Sequence, residues 1–80
     1  MIKEIDPDRP YLTWYTDTGF KNKNIKEKVV TVEAWGDIWK VEWWDYNAPN
    51  GYEWVVFNTY PTREEAEAVA EMVFLTQPWR

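Results

Sequence analysis

The 80-residue sequence contains no cysteine, no histidine and no serine. These absences exclude disulfides, zinc fingers, imidazole acid–base catalysis and serine or cysteine nucleophiles. The sequence also lacks a glycine-rich phosphate loop and the acidic spacing of a calcium-binding loop. We therefore expect a protein that is not an enzyme and that binds no metal or other cofactor.

Positive charge is scarce, because nine lysines and arginines face fourteen acidic residues and give a formal net charge of −5. This balance argues against unaided binding to a phosphate backbone. No apolar run approaches the roughly 18 residues that a membrane span requires, and the first residues contain no apolar signal-peptide core. We expect a cytoplasmic protein without a membrane partner.

Leucine is also rare, with only Leu12 and Leu75, so the core has to be built from other side chains. Seven tryptophans, five tyrosines and three phenylalanines supply large apolar surfaces. A chain of this length forms one small domain. We expect a single domain over residues 1–80, with residues 1–9 and 76–80 as loose ends.

The segment 28–45 predicts a β-hairpin, because Gly36 and Asp37 separate two runs rich in valine, threonine and tryptophan. With a two-residue loop, one face of the hairpin collects six apolar residues, which form the pairs 34/39, 32/41 and 30/43. The other face collects the pairs 35/38, 33/40, 31/42 and 29/44. A shift by one residue would mix the two sets, so the pattern determines the register.

Two further strands are predicted at residues 11–16 and 52–58, the second after the turn-rich segment 47–51. The position of the first one in the sheet stays open. A five-residue loop would place Val55 and Phe57 on the apolar face of the sheet, and a loop one residue shorter would invert this. We prefer the first register because it makes the inner face uniformly apolar.

A helix is predicted from Thr62 onward, because Thr62-Arg63-Glu64-Glu65 is a capping box. An apolar stripe at helical spacing follows, formed by Ala66, Val69, Ala70, Val73 and Phe74, and Glu64, Glu67 and Glu71 are expected on the solvent side. The predicted fold class is α+β, an antiparallel sheet of about four strands with one C-terminal helix packed on one face as a two-layer sandwich.

The sheet face turned away from this helix, which we call the open face, is the candidate binding surface. Exposed aromatic clusters are uncommon on monomers and frequent at interfaces. The residues expected on it are Trp35, Trp44, Trp54, Tyr46, Tyr52, Glu33 and Glu42. The preferred hypothesis is recognition of another protein. A homodimer that pairs through this face, and cover of the face by the N-terminal segment, are the alternatives.

The alternative function for the same surface is binding of single-stranded nucleic acid, whose bases would stack on the aromatic rings. Phosphate contacts would then come from the basic stretch Lys21, Lys23, Lys26 and Lys28. The acidic balance of the chain disfavours this hypothesis relative to a protein partner. Stacking of sugars on the tryptophans is a third hypothesis.

Residues 38–74, with the junction Tyr60-Pro61-Thr62-Arg63-Glu64-Glu65-Ala66, resemble the strand-to-helix junction of small sheet-plus-helix domains. The arm-type DNA-binding domains of tyrosine integrases are among these domains. The resemblance covers under half of the chain. DNA binding is not carried over, because Glu33, Glu42 and, in the inverted register of the strand 52–58, Glu53 lie on the face that would enter the DNA groove.

In size, acidity and lack of catalytic residues, the chain also resembles the small proteins by which bacteriophages block host enzymes or antiviral defence systems. This resemblance rests on general properties and not on a motif. It implies that the protein partner is a nucleic-acid or antiviral-defence enzyme of a host cell.

Overall fold

A computed structural model describes residues 2–16, 28–45 and 53–76 of the chain. Five strands and one helix lie in these ranges: β1 (Ile2–Ile5), β2 (Leu12–Thr16), β3 (Lys28–Trp35), β4 (Ile38–Asp45), β5 (Glu53–Tyr60) and α1 (Arg63–Thr76). The strands form one antiparallel sheet in the order β1-β2-β3-β4-β5, with α1 packed against it. The predicted α+β two-layer sandwich is confirmed.

The sheet has one strand more than expected, because residues 2–5 are not part of a loose end. They pair antiparallel with β2, from Ile2 opposite Thr16 to Ile5 opposite Thr13. A strand of four residues is too short to show a clear period of two in the sequence. β2, whose position the sequence left open, lies between β1 and β3. At the other end of the chain, the helix includes Thr76, and residues 77–80 lie outside the described ranges.

The turn between β1 and β2 is built around the Asp6 carboxylate. Its Oδ1 accepts a hydrogen bond from the backbone N–H of Asp8 at 2.9 Å, and its Oδ2 lies 3.1 Å from Nε of Arg9. The Asp8 N–H, together with the Arg9 guanidinium, lowers the pKa of Asp6 below its ordinary value despite some desolvation. These bonds reverse the chain and bring β1 alongside β2.

The β3–β4 hairpin has the predicted register, with Val32 opposite Val41 and Glu33 opposite Lys40. Gly36 has φ 66°, the positive value that both common two-residue hairpin turns require at this position. The ladder ends at the 30/43 pair, so the expected 29/44 pair is not part of it. Val29 lies instead at an irregularity between β2 and β3 and is fully buried.

The strand β5 matches the preferred register only in its first half. Val55 lies opposite Trp43 as predicted, but Asn58, and not Phe57, lies opposite Val41. The register shifts between the two sites, which leaves one extra residue in β5, as in a β-bulge. The side chain of Phe57 is therefore 43% exposed, and its predicted place on the apolar face is wrong.

The helix begins as the capping box predicts, since the Glu65 N–H donates to Oγ1 of Thr62 at 3.2 Å. It packs mainly over β3 and β4. The predicted stripe is confirmed: four of its members are buried and Val69 is half-buried. They form one core cluster with the buried residues of the sheet: Tyr15, Val29, Val30, Val32, Val41, Ala66, Ala70, Val73 and Phe74.

The single helix of the described ranges does not have the length and apolar character that crossing a lipid bilayer requires.

Candidate functional site

The open face is built by the strand positions that alternate with the core residues Val32 and Val41. The register places the following residues there: Thr31, Glu33, Trp35, Ile38, Lys40, Glu42, Trp44, Trp54 and Val56. The helix packs on the opposite face of the sheet, against the cluster that contains Val30, Val32 and Val41. Among the described elements, the helix thus covers one face of the sheet and not the other, as the sequence pattern indicates.

Exposure on the open face is concentrated at its two ends. Trp35, beside the hairpin loop, is 59% exposed, and on β5 Trp54 and Val56 are 38% and 51% exposed. The face is not uniformly accessible, because Trp44 is half-buried and packs against the core cluster. Leu12 on β2, which lies opposite Glu33 and so belongs to the same face, is buried. The surface available for contact is therefore largest around Trp35 and along β5.

Trp44 and Trp54 form an aromatic pair across β4 and β5. They lie directly opposite each other in the register, and their ring centroids are 5.1 Å apart at an interplanar angle of 68°. Edge-to-face pairs of this kind contribute about 0.5–1.5 kcal/mol beyond the area they bury. Trp54 thus packs edge-to-face on Trp44 and is still 38% exposed.

Lys40 connects the two predicted acidic residues at the centre of the open face. Its Nζ lies 2.8 Å from Oε1 of Glu42 and 3.9 Å from Oε2 of Glu33. It also lies 5.4 Å from the ring centroid of Trp35, within cation–π range. The hydrogen bond to Glu42 raises the pKa of Lys40 above its ordinary value, and partial burial opposes this.

Lys40 was not among the predicted contact residues, although the sequence contained the signal for it. In the two-residue hairpin, position 40 lies opposite Glu33, and Glu42 follows two residues later on the same face. Two carboxylates and one ammonium leave this group with one net negative charge. Because the Lys40 ammonium is paired with the carboxylates of Glu42 and Glu33, the centre of the open face keeps a net negative charge. The exposed ring of Trp35 lies next to this charged group.

Several predicted site residues lie outside the described parts of the chain: Tyr46, Tyr52, Lys21, Lys23 and Lys26. Lys28 is the first residue of β3, opposite Thr16, and its side chain is also outside the description. The proposed phosphate contacts are therefore untested. Of the predicted aromatic and acidic set, Trp35, Trp44, Trp54, Glu33 and Glu42 all lie on the open face.

No protein-family model, curated protein or solved structure matches this chain. Among residues 2–16, 28–45 and 53–76, no three acidic side chains are grouped so that they could hold a metal ion.

A second charged cluster lies between the helix and β1–β2, centred on Glu67. Its Oε2 lies 2.8 Å from Nζ of Lys3, and its Oε1 accepts from Nε of Arg63 at 3.0 Å and from Oγ1 of Thr13 at 3.2 Å. The expected position of Glu67 on the solvent side is wrong, because the added strand β1 brings Lys3 to it. Lys3, Thr13 and Arg63 all bind Glu67, so we interpret the group as a structural cluster.

Arg63 ties this cluster to the rest of the domain. Its guanidinium donates to Oγ1 of Thr13 and to the carbonyl oxygen of Pro10, the latter at 3.0 Å. It also lies 5.3 Å from the ring centroid of Trp39 on β4. One side chain at the start of α1 thus contacts three separate parts of the sheet layer.

Tyr15, beneath the helix, provides a test of this packing at high pH. Its hydroxyl donates to the backbone carbonyl of Glu67 at 3.2 Å. Burial, reinforced by the negative charges of Glu67 and Glu71, raises the pKa of Tyr15 to about 12. Its folded-state pKa therefore exceeds the unfolded value of about 10. This contribution to stability is complete below about pH 10 and is lost as pH rises toward 12.

We expect urea unfolding of the wild-type protein to show a drop in stability between pH 10 and 12 that is smaller in Tyr15→Phe. The variant cannot ionise at this site and loses about 1 kcal/mol at neutral pH with its hydrogen bond. Tyr11→Phe, which alters a tyrosine that is 44% exposed, is the control. An identical alkaline drop in wild type and Tyr15→Phe would contradict the assignment.

Proposed function

We propose that the chain is a non-enzymatic protein-binding module that docks on another protein through its open face. The observation that supports this most strongly is Trp35, a ring that is 59% exposed next to the acidic group of Glu33, Lys40 and Glu42. Tryptophan is enriched among the residues that dominate binding energy. Burial of the Trp35 ring in a pocket of the partner would remove its apolar surface from water and so contribute to the binding free energy.

The charge of the surface indicates the chemistry of the partner. The whole chain has a net charge of −5, and the central group of the open face has two carboxylates for one ammonium. Such a surface is attracted to a basic surface, which accelerates association and favours that partner over acidic ones. Proteins that handle nucleic acids present basic surfaces. We therefore propose an enzyme of this class, in a host nucleic-acid or antiviral-defence pathway, as the partner that is inhibited.

The geometry favours this proposal over binding of single-stranded nucleic acid. Stacking needs exposed rings, and Trp35 and Trp54 are exposed, but phosphates also need free cations nearby. On the open face of the described ranges, the Lys40 ammonium contacts Glu42 and Glu33. A polyanion would have to approach these carboxylates.

The test uses immobilised wild-type protein and three variants to capture proteins from a lysate of the native host cell. We expect one basic protein to be retained by the wild type and lost with Trp35→Ala and with Trp54→Ala. Met72→Ala, which truncates a side chain 52% exposed on the helix, is the matched control and should retain it. Binding of the purified pair should weaken as salt concentration rises.

Thermal unfolding of the same variants separates binding from folding. Trp35→Ala should change the free energy of unfolding by no more than about 1 kcal/mol, because Trp35 is 59% exposed and its cation–π contact with Lys40 lies at the surface. Equal capture by wild type and Trp35→Ala would contradict the proposal. So would salt-sensitive binding of single-stranded oligonucleotides in the absence of any protein partner.

A further inference from the structure

The two edges of the sheet differ in how they are protected against pairing with another strand. β1 has only four residues and contains Lys3 and Glu4, and short, charged edge strands resist such pairing. β5 has eight residues, Glu-Trp-Val-Val-Phe-Asn-Thr-Tyr, with no lysine and no proline. Trp54, Val56 and Phe57 on this strand are 38–51% exposed. The edge of β5 is therefore the less protected one.

The register shows which backbone groups of β5 point away from the sheet. In a two-residue hairpin the residues that flank the loop, here 35 and 38, exchange hydrogen bonds, and this direction alternates along each strand. On β4 the backbone of Trp43 thus points to β5, where Val55 is its partner. The adjacent residues Trp54 and Val56 consequently turn their N–H and C=O groups away from β4, to the side of β5 on which the described ranges place no further strand.

The second half of β5 is closed to pairing by two local features. The extra residue at the register shift interrupts the ladder around Phe57. Beyond it, the backbone N–H of Thr59 donates to Oδ1 of Asn58 at 2.8 Å, so a neighbouring strand cannot use it. In the part of the chain that the structure describes, the segment of β5 that can accept a strand is therefore 54–56.

We propose that two copies of the chain pair antiparallel through this edge, with a two-fold axis at Val55. In this register Trp54 lies opposite the partner's Val56, and Val56 lies opposite the partner's Trp54. Each of these two pairs exchanges two hydrogen bonds, which joins the sheets into one sheet of ten strands. The register shift around Phe57 stays outside the hydrogen-bonded segment.

A second copy is the occupant that this edge fits because the segment 54–56 is self-complementary. A two-fold axis requires the same residues on both sides, and Trp-Val-Val then pairs tryptophan with valine on the open face and valine with valine on the helix side. No charged residue occurs among the paired positions, so like charges do not face each other there. A segment of a different protein would need its own apolar match.

The dimer contact and the proposed partner contact share Trp54, but Trp35 lies on β3, two strands from the edge, so Trp35→Ala tests the proposed function alone. Pairing would, however, extend the two open faces into one continuous surface. Each binding site would then be present twice, and a partner with two matching sites would be bound with avidity.

Sedimentation velocity over a concentration series from low micromolar to millimolar is the first measurement. The wild type should change from the mass of one chain to twice that mass. Val56→Pro removes only an outward-pointing N–H, at a position where an edge strand tolerates proline, and should raise the dissociation constant at least about tenfold. Val56→Lys, which places a charge on the edge, should do the same without altering the backbone.

Val56→Thr keeps the N–H and the β-branched shape, and it should dimerise like the wild type. Hydrogen exchange adds a backbone readout: the amides of Trp54 and Val56 should become protected as concentration rises, and the amide of Val55 should be protected throughout. A wild type that stays monomeric, or that dimerises unchanged with both Val56→Pro and Val56→Lys, would overturn the proposal. A dimer abolished by Trp35→Ala would also overturn it, since contact would then be face to face.

Discussion

Replacing Phe74 with alanine is expected to lower the free energy of unfolding by about 3–5 kcal/mol. The ring is 7% exposed, lies in the core cluster between helix and sheet, and stands 6.4 Å from the ring centroid of Tyr15. Its removal leaves a cavity that the close-packed surroundings fill only in part. A domain of this length has a total stability of about 4–12 kcal/mol, so a large share would be lost.

The matched control is Leu75→Ala, at the next position of the same helix, where the side chain is 68% exposed. This variant should stay within about 0.5 kcal/mol of the wild type. Calorimetry should show Phe74→Ala melting at least about 12 °C lower, at roughly 4–8 °C per kcal/mol for domains of this size. Similar melting temperatures for the two variants would show that α1 is not packed as described.

Removing the Glu67 carboxylate is expected to have the second largest effect, a loss of about 1.5–3 kcal/mol at pH 7 for Glu67→Ala. The carboxylate is the shared partner of Lys3, Thr13 and Arg63. Its loss leaves Nε of Arg63 and the buried hydroxyl of Thr13 without the acceptor that they share, and that penalty is larger than the value of an exposed ion pair. Glu71→Ala, an exposed glutamate one turn further along, should change stability by less than about 0.5 kcal/mol.

The same carboxylate predicts a pH dependence with a definite sign. Burial raises the pKa of Glu67, but hydrogen bonds from Lys3 and Arg63 outweigh it and hold the pKa below the ordinary 4.5. A lowered folded-state pKa stabilises the fold above the unfolded value, and this stability is lost as pH falls through the folded value. We expect urea unfolding below pH 4.5 to show a shallower acid loss in Glu67→Gln than in wild type. Parallel acid curves would refute this role.

The sequence allowed the hairpin and the helix to be predicted because both rest on local patterns. The alternation around Gly36 and Asp37 admits only one register with a uniformly apolar face, and the Thr62 capping box precedes a stripe of helical period. Such patterns involve residues that are close in the chain, so they are visible without knowledge of the remaining fold.

The predictions that failed depended on non-local information. The extra residue at Phe57 leaves no clear break in the alternation of apolar and polar residues along β5, so the sequence does not reveal the register shift. The exposure of the Phe57 side chain was therefore not predicted. Glu67 was placed in solvent because its partner Lys3 belongs to a strand of four residues that the pattern did not show. On the open face, Trp35 and Trp54 lie where they were predicted, since the hairpin register and the first half of β5 determine that face.

The order of the strands in the sheet also affects how fast the molecule can fold. Each strand pairs only with strands that are adjacent to it along the described chain. This topology gives a low contact order for a sheet protein, and low contact order correlates with fast folding. A hairpin with a two-residue loop forms in about 1–10 μs. The β3–β4 hairpin can thus serve as a folding nucleus to which the outer strands add one at a time. Each addition closes only a short loop, so its loss of chain entropy is small.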